Sequence, residues 1–348
     1  MRNSKVKALL VTLALVLCAC LLLTAFCEAY FQYPAYYYED APVRKDLAGS
    51  LDTLIIGSSH AFRAFDPVIL DEALGTHSYN LSGAMMTMEG RYLLLQKELA
   101  RNPVDTVIFE LSYNALLRDR DYEGPEGDIY LLGRLDSFSE RVSAFFKLIR
   151  PSEYAEVFHD TLTRSRTAWG MLLKGTLTEP QMKSRRGFIP LEANDLTLPY
   201  HEAYEMYYDE FVYPTFRPDQ EQLLRDCVAL CREKGARVIF VVTPLSDHTL
   251  IRYYDLAQIS EHCLALAKEL DVPLYDFNLI RTREDYPPDT AFFDDLHLSG
   301  SGAETFSRSF ANILRRADAG EDVSPLFFDT YEQAALNVLA LLRVSQGQ

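Results

Sequence analysis

Cysteine is scarce in this chain of 348 residues, and half of its six cysteines fall in one apolar run near the N-terminus. The remaining three are Cys227, Cys231 and Cys263. They form neither a Cys-x-x-Cys pair nor a series of spaced cysteines, which excludes a disulfide framework and a Cys-x-x-Cys metal site. Because Cys227 and Cys231 lie four residues apart in a helical pattern, we expect them to share one face and fill the core.

Basic residues are also few. The chain has 34 Lys and Arg residues against 50 Asp and Glu residues, and its formal net charge is −16. Three of the basic residues precede the apolar run, so residues 28–348 carry −19, three charges below the total of −16. A surface this acidic argues against nucleic acid as a partner. Internal repeats and low-complexity tracts are absent from the sequence as well.

The one long uncharged run, Ala8 to Cys27, is long enough to cross a bilayer as a helix at ~1.5 Å per residue. Arg2, Lys5 and Lys7 precede it, which predicts a cytoplasmic N-terminus. Residues 1–27 are therefore interpreted as a cytoplasmic stub and transmembrane signal anchor of a single-pass cell-membrane protein whose remaining residues are extracytoplasmic. The alternative is a cleaved signal peptide. The segment contains a loose match to a lipoprotein-type cleavage site, but the apolar run continues beyond it.

Residues 28–50 are rich in tyrosine and are predicted to form a juxtamembrane linker. Beyond them, short β-rich runs alternate with helical stretches, as in a parallel sheet with crossover helices. Five runs are predicted as strands: Leu51–Ile56, His77–Leu81, Val104–Leu111, Ala236–Val242 and Val272–Phe277. The sequence therefore predicts one doubly wound α/β domain, 51–114 with 216–318, followed by a helical tail, 319–348.

About a hundred residues, 115–215, separate the two halves of this domain and show no strand–helix rhythm. Ser137–Leu148 and Ser152–Leu173 have helical patterns. An insertion after the third strand projects from the carboxyl edge of such a sheet, where ligands bind, so we predict a mainly helical cap over the site. The alternative is a helical subdomain without a role there. The pair Arg185-Arg186 within it is expected to be solvated rather than to meet an anionic substrate.

Three polar motifs stand where this sheet would present its carboxyl edge. Gly57-Ser58-Ser59 follows the first strand, Ser112-Tyr113-Asn114 follows the third, and Asp294-Asp295-Leu296-His297 precedes the last helix. Because parallel strands place their carboxyl ends at one edge, we expect these motifs to converge although the sequence scatters them.

Together the motifs contain the groups that activate a serine. The hydroxyl of Ser59 needs a base, which His297 can supply near neutral pH, and Asp294 can accept the other ring proton of that histidine. When the serine attacks a carbonyl group, the carbonyl oxygen becomes an oxyanion. This oxyanion needs hydrogen-bond donors at fixed positions, such as backbone N–H groups or an asparagine amide. Two alternatives stay open: Gly57-Ser58-Ser59 as a plain polar turn, and Asp294, Asp295 and His297 as metal ligands, although no second histidine cluster accompanies them.

These motifs resemble the conserved blocks of the SGNH (GDSL-like) hydrolase superfamily over roughly residues 51–316. The matching residues, block by block, are Ser59, Gly83, Asn114, and Asp294 with His297. The first block reads Gly-Ser-Ser-His, with Ser58 where the family often has Asp. In this it is similar to the membrane-anchored branch of DltD, the teichoic-acid D-alanylation protein, and of the alginate O-acetylation proteins. The third block departs from the pattern, because Ser-Tyr-Asn-Ala stands where Gly-x-Asn-Asp is usual.

The resemblance implies a three-layer α/β/α, flavodoxin-like fold with a five-stranded parallel sheet, and a mechanism without cofactor or metal. In that mechanism Ser59 is the nucleophile, His297 the base and Asp294 its orienting carboxylate. The N–H groups of Ser59 and Gly83 and the amide of Asn114 are implied to hold the oxyanion.

The function implied is a membrane-anchored, extracytoplasmic serine acyltransferase or esterase acting on O-acyl groups of a cell-envelope polysaccharide or teichoic-type polymer. The anchor favours transfer, because relatives of this design work beside a membrane-bound O-acyltransferase. An O-acetyl ester hydrolase of surface glycans would use the same residues, whereas a non-catalytic scaffold or glycan-binding protein would use none of them. Ser58, His60 and His248 are candidates for lining the site, and a position in a surface loop is the alternative for His248.

Overall fold

The computed structural model of the protein describes residues 2–38, 46–111, 116–117, 124–174, 185–192, 215–252, 255–282 and 286–345. Its strands are β1 (Thr53–Ile56), β2 (Ser78–Asn80), β3 (Thr106–Glu110), β4 (Arg237–Val242) and β5 (Leu274–Asp276). Its α-helices are α1 (Arg2–Tyr38), α2 (Ser59–Ala64), α3 (Pro67–Leu74), α4 (Met88–Arg101), α5 (Glu126–Gly133), α6 (Phe138–Leu148), α7 (Tyr154–Leu173), α8 (Pro218–Glu233), α9 (Asp247–Arg252), α10 (Asp255–Glu269), α11 (Gly300–Asp318) and α12 (Tyr331–Ser345). Short 3₁₀ helices span Pro151–Glu153, Phe277–Leu279, Asp289–Ala291 and Ser324–Leu326.

The five strands form one parallel sheet in the order β2-β1-β3-β4-β5. In β1, Ile55 lies opposite Asn80 of β2 on one side and Ile108 of β3 on the other. All residues of β1 and β3 are buried, because helices cover both faces of the sheet. This strand order is that of flavodoxin-like folds, so the predicted α/β fold class with a five-stranded parallel sheet is confirmed.

The crossover helices form two layers. In one layer α3 contacts α11. In the other, α4 contacts α8, and Arg225 on α8 pairs with Glu269 on α10 at an N–O distance of 3.0 Å. Cys227 and Cys231 are buried on α8, as their spacing predicted. Burial raises the pKa of both thiols, so these cysteines are packing residues rather than reactive ones.

Local signals determine the ends of α3. The side chain of Asp66 accepts the N–H of Val68 at 3.0 Å, and Pro67 occupies the first helical position. Gly75 ends the helix in the left-handed region at φ +71°. The predicted bounds of this helix are confirmed.

Three short helices, α2, α5 and α9, were not predicted, because six to eight residues carry too little periodicity to stand out.

The C-terminal tail forms α12 and contacts α9 and α10. The hydroxyl of Tyr331 donates a hydrogen bond to the Leu250 carbonyl at 2.7 Å. The tail is therefore packed against the α/β domain.

Helices α5, α6 and α7 lie between β3 and β4 in the chain, within the predicted insertion. The described part of the insertion continues at residues 185–192, which run beside β2. The N–H of Asn80 donates to the Arg186 carbonyl at 2.9 Å, and the N–H of Ile189 donates to the Phe62 carbonyl at 3.1 Å. This segment therefore contacts the domain next to α2.

The expected solvation of Arg185 and Arg186 holds only in part: their side chains are 54% and 30% exposed, but both are ion-paired. The Arg185 guanidinium pairs with the carboxylate of Asp66, and that of Arg186 pairs with Asp71. Asp66 is fully buried where it caps α3, and a buried carboxylate is costly without a partner. Both arginines thus attach the segment 185–192 to α3.

Replacing Gly187 with alanine is expected to destabilise the protein by about 2 kcal/mol or more. Gly187 has φ +86°, and an added Cβ would overlap the Asn80 carbonyl. Gly320→Ala is the matched control, since Gly320 has φ +84° but faces open space. Denaturant unfolding should show a clearly larger loss for Gly187→Ala; equal losses would mean that the close approach to Asn80 contributes nothing.

The helix α1 contains the window Lys5–Ala25, 21 residues with a mean hydropathy of 2.8, none of it buried. Among the described residues it is the single helix long and apolar enough to cross a membrane. Its orientation and the identity of the membrane stay predictions. α1 also contacts α5 and α7 of the insertion.

Candidate active site

The first motif forms a tight strand-to-helix turn. β1 ends at Ile56, Ser58 is the N-cap of α2, and Ser59 is its first residue. The Ser58 hydroxyl accepts a hydrogen bond from the His60 N–H at 3.2 Å. Ser58 and Ser59 are both half-buried at the carboxyl edge of the sheet.

The Asp-x-x-His motif forms a second turn, which is held by hydrogen bonds between its own residues. The Asp294 carboxylate accepts the backbone N–H groups of Leu296 and His297 at 2.9 and 2.7 Å. The His297 carbonyl accepts the N–H of Phe293 at 2.7 Å, which closes the loop. The same carboxylate lies 2.9 Å from Nδ1 of the His297 ring. The spacing of three residues is therefore what lets Asp294 hold both the backbone and the ring of His297.

The two turns meet. Nε2 of His297 lies 2.9 Å from Oγ of Ser59, although 238 residues separate them in the chain. If the Nδ1 proton is donated to Asp294, Nε2 is free to accept the Ser59 proton. Three of the predicted site residues thus form one hydrogen-bonded chain.

The charge on Asp294 suits this arrangement. Burial by itself raises the pKa of the carboxyl, but the hydrogen bond and charge of His297 and the N–H groups of Leu296 and His297 outweigh it. The pKa of Asp294 therefore lies below its usual value, and the group is a carboxylate at neutral pH.

Glu110, the last residue of β3, supports the serine turn through hydrogen bonds to Ser58. Its Oε2 accepts the N–H of Ser58 at 2.9 Å and the hydroxyl of Ser58 at 3.0 Å. Glu110 is fully buried, and Arg91 lies nearby, donating to the Glu110 carbonyl at 3.0 Å. Burial raises the pKa of the Glu110 carboxyl, while the charge of Arg91 and the bonds from Ser58 oppose that rise without cancelling it.

The space between Glu110 and the serine turn admits only glycine. A Cβ on Gly57 would lie 2.5 Å from Oε2 of Glu110 and 2.7 Å from Cβ of Ala61. Gly57 therefore lets a buried carboxylate approach the backbone of the turn.

The second block, Asn80-Leu81-Ser82-Gly83, borders the turn on the β2 side. The Asn80 amide donates to the carbonyls of Ala61 and Phe65, both at 3.0 Å, and so holds the C-terminal turn of the short helix α2. The N–H of Gly83, a predicted oxyanion donor, is bonded to the Gly57 carbonyl at 3.3 Å. Gly83 thus lies beside the serine turn, with its N–H engaged by the turn itself.

Arg134, from the insertion, is buried against the second block. Its guanidinium donates to the carbonyls of Leu81 and Ser82, the latter at 2.6 Å. The insertion therefore contributes directly to the shape of the site.

Of the remaining predicted site residues, the structure describes the side chain of one, His60. The His60 ring lies 4.9 Å from the His297 ring, centroid to centroid, so the two histidines are neighbours. The backbone of His248 is in α9, but its side chain lies outside the described part of the structure. Asn114 also lies outside the described residues, so its oxyanion role stays a prediction.

The residues proposed as alternative metal ligands, Asp294, Asp295 and His297, are hydrogen-bonded to other groups of the protein. Asp294 is bonded to His297, while the Asp295 carboxylate accepts the Ser246 hydroxyl at 3.2 Å and its carbonyl accepts the Ser246 N–H at 3.2 Å. Among the described residues, no group of three or more His, Cys, Asp or Glu side chains could hold a metal ion. Asp295 joins the Asp-x-x-His turn to the loop after β4.

The sequence motifs did not indicate that Glu110, Asn80 and Arg134 support the site. Glu110 had the clearest signal, since it is an acidic residue at the end of an otherwise apolar strand, Val-Ile-Phe-Glu. Asn80 is the last residue of β2 and lies within the second block, but Arg134 has no signal in its own segment.

No family model matches the sequence, and no curated protein matches it either. Among solved structures, one similar chain is a Bacteroides fragilis protein provisionally described as an acylhydrolase. The two share 9% sequence identity, and the match covers 80% of this chain and 94% of the other at a TM-score of 0.39. The chemistry of the site is therefore inferred from its own geometry.

Proposed function

We propose that this protein is a serine esterase or acyltransferase in which Ser59 is the nucleophile, His297 the base and Asp294 the residue that orients the base. The observation that carries the proposal is the chain of contacts from Ser59 Oγ to His297 Nε2 and from His297 Nδ1 to Asp294, each 2.9 Å. These are hydrogen-bond distances between nucleophile and base and between base and orienting group, as covalent catalysis requires.

The reaction has two halves. Oγ of Ser59 attacks the carbonyl carbon of an acyl ester while Nε2 of His297 takes the hydroxyl proton. The tetrahedral intermediate collapses, the alcohol leaves with the proton from Nε2, and the acyl group remains on Ser59. In the second half, water or a sugar hydroxyl attacks this ester, gives its proton to Nε2, and frees Ser59 when that proton returns to Oγ.

The oxyanion requires donors at fixed positions. The N–H of Ser59 belongs to the first turn of α2, where helical N–H groups have no acceptor within the helix. The N–H of Gly83 joins it when it exchanges the Gly57 carbonyl for the oxyanion, and the amide of Asn114 is the third proposed donor. One such donor contributes about 3 kcal/mol to lowering the barrier.

The proposed setting is the outer face of a cell membrane, with α1 as the anchor and the N-terminus in the cytoplasm. The proposed substrate is an O-acylated cell-envelope polysaccharide or teichoic-type polymer, and a membrane-bound O-acyltransferase is the proposed partner. These finer assignments rest on the apolar helix α1 and on the resemblance of the sequence blocks. Whether water or a glycan hydroxyl accepts the acyl group distinguishes the hydrolase from the transferase.

The test is covalent labelling of the full-length protein with a fluorophosphonate. Cleavage after Lys45 and Arg63 releases one peptide, residues 46–63, whose fragment masses separate Ser58 from Ser59. We expect the label on Ser59, its loss in Ser59→Ala, and slower labelling at the same position in Ser58→Ala. A folded protein that stays unlabelled would contradict the proposal and favour the non-catalytic scaffold.

A further inference from the structure

Helix α6 of the insertion exposes an apolar stripe. Phe138, Val142 and Phe146 recur every four residues on one face, and Phe146 is 67% exposed. The opposite face already buries Ala144 and Leu148 against the domain. The helix is therefore apolar on the face that packs and also on the face that does not, which is unusual for a surface helix.

Helix α7 continues this surface. Among the side chains of α7 that the structure describes, four large apolar ones are exposed, and they fall within about a third of the helix circumference at 3.6 residues per turn. They are Tyr154, Phe158, Trp169 and Leu173. The ring of Phe145 joins the two stripes, because it stacks on Tyr154 at 5.5 Å and contacts Phe146 at 5.4 Å. The seven exposed residues of the two helices are called the α6–α7 face.

The neighbours of this face indicate what covers it. α1, whose apolar window Lys5–Ala25 is wholly exposed, contacts α7 and α5. A bilayer crossed by α1 would therefore begin beside the α6–α7 face. Five of the seven exposed residues are aromatic, the class that is enriched at the level of lipid headgroups.

The charge of this region also differs from that of the chain. Residues 138–174 hold six Lys and Arg residues against four Asp and Glu residues, whereas the whole chain carries −16. A basic segment with exposed aromatic residues suits an anionic lipid surface, which would repel the rest of the domain.

We infer that the α6–α7 face rests on the bilayer crossed by α1, with its aromatic side chains in the boundary between headgroups and acyl chains. The inference rests on the proposed membrane anchor and adds a second contact to it. With two contacts, the insertion that shapes the site through Arg134 is held against the membrane, and the site works on substrate close to the lipid surface.

The chain provides its own probe, because Trp169 is its single tryptophan and belongs to the α6–α7 face. The full-length protein is reconstituted in vesicles of phosphatidylcholine and phosphatidylglycerol whose acyl chains are brominated or not. Bromine quenches only fluorophores that reach the hydrocarbon, so we expect brominated lipid to reduce Trp169 fluorescence by about half or more, as for a face buried about 5–10 Å deep.

Two variants sharpen this test. Phe146→Ser combined with Phe158→Ser should weaken the quenching, whereas Leu336→Ser should not, because Leu336 is 65% exposed but belongs to α12. Both variants should keep the turnover of a small soluble ester, which shows that they are folded.

Flotation of the vesicles separates the two ways of failing. Protein that floats with the vesicles but shows no quenching by brominated lipid would overturn the inference and leave the anchor standing. In that case, shielding of Trp169 from iodide that grows with protein concentration would identify a second copy as the occupant of the face. Protein that does not float would overturn the anchor and the inference together.

Discussion

Replacing Ser59 with alanine is expected to lower the turnover of an activated ester such as p-nitrophenyl acetate by about 10⁴-fold or more. The substitution removes the only oxygen that lies within hydrogen-bond distance of Nε2 of His297 among the described contacts. His297→Ala should produce a loss of similar size, because the Ser59 hydroxyl then has no base. The measurement is steady-state turnover of the full-length protein.

The double variant makes this prediction stricter. Nucleophile and base act as one unit, so Ser59→Ala combined with His297→Ala should be no slower than Ser59→Ala alone. Ser50→Ala is the matched control, because Ser50 is an exposed serine of the preceding loop whose hydroxyl bonds to the Leu47 carbonyl. Losses that multiply in the double variant, or a Ser59→Ala protein with wild-type turnover, would refute the assignment.

Replacing Glu110 with alanine is expected to lower both stability and turnover. The N–H and hydroxyl of Ser58 lose their common acceptor in a buried place, which costs about 2 kcal/mol or more. The serine turn then shifts relative to His297, and a displacement of about 1 Å at such a site lowers the rate by about 10²-fold. Glu110→Gln keeps an acceptor oxygen and should be affected much less.

A buried carboxylate elsewhere provides the control for Glu110. Glu98 is 1% exposed and bonds to Asn102 at 2.9 Å, two turns further along α4 from Arg91. Glu98→Ala should reduce the unfolding free energy without a comparable loss of turnover. If Glu110→Ala and Glu98→Ala lower turnover equally, Glu110 is an ordinary structural residue and not a support of the nucleophile.

The pH dependence of stability gives a second measure of Glu110. Because burial raises its pKa above the usual 4.5, the folded protein binds this proton more tightly than the unfolded chain. The stabilisation that this proton binding gives the folded state is present in full below the pKa of Glu110 in the unfolded chain. It is lost as the pH rises through the raised pKa of Glu110 in the folded protein. Glu110→Gln, which does not titrate, should therefore show a smaller fall in stability than wild type as the pH rises above 4.5.

Most of the fold could be predicted from local pattern. Apolar runs indicated all five strands, with ends at most two residues too long, and Asp66, Pro67 and Gly75 determined the bounds of α3. The helices that were missed are short, and the ion-pair partners of Arg185 and Arg186 were missed because a charged pair in an irregular segment gives no sign of them. Ion pairs between distant segments depend on packing, which hydrophobic periodicity does not encode.

The sequence by itself determined which groups meet at the candidate site. A parallel sheet with crossover helices brings the carboxyl ends of its strands to one edge, so the order of the motifs was enough to unite Ser59 with Asp294 and His297. Only the tertiary structure decided that Glu110 lies under Ser58 and that Arg134 of the insertion holds the carbonyls of the second block. Such contacts join side chains from separate segments at distances of about 3 Å, and no spacing within one segment records them.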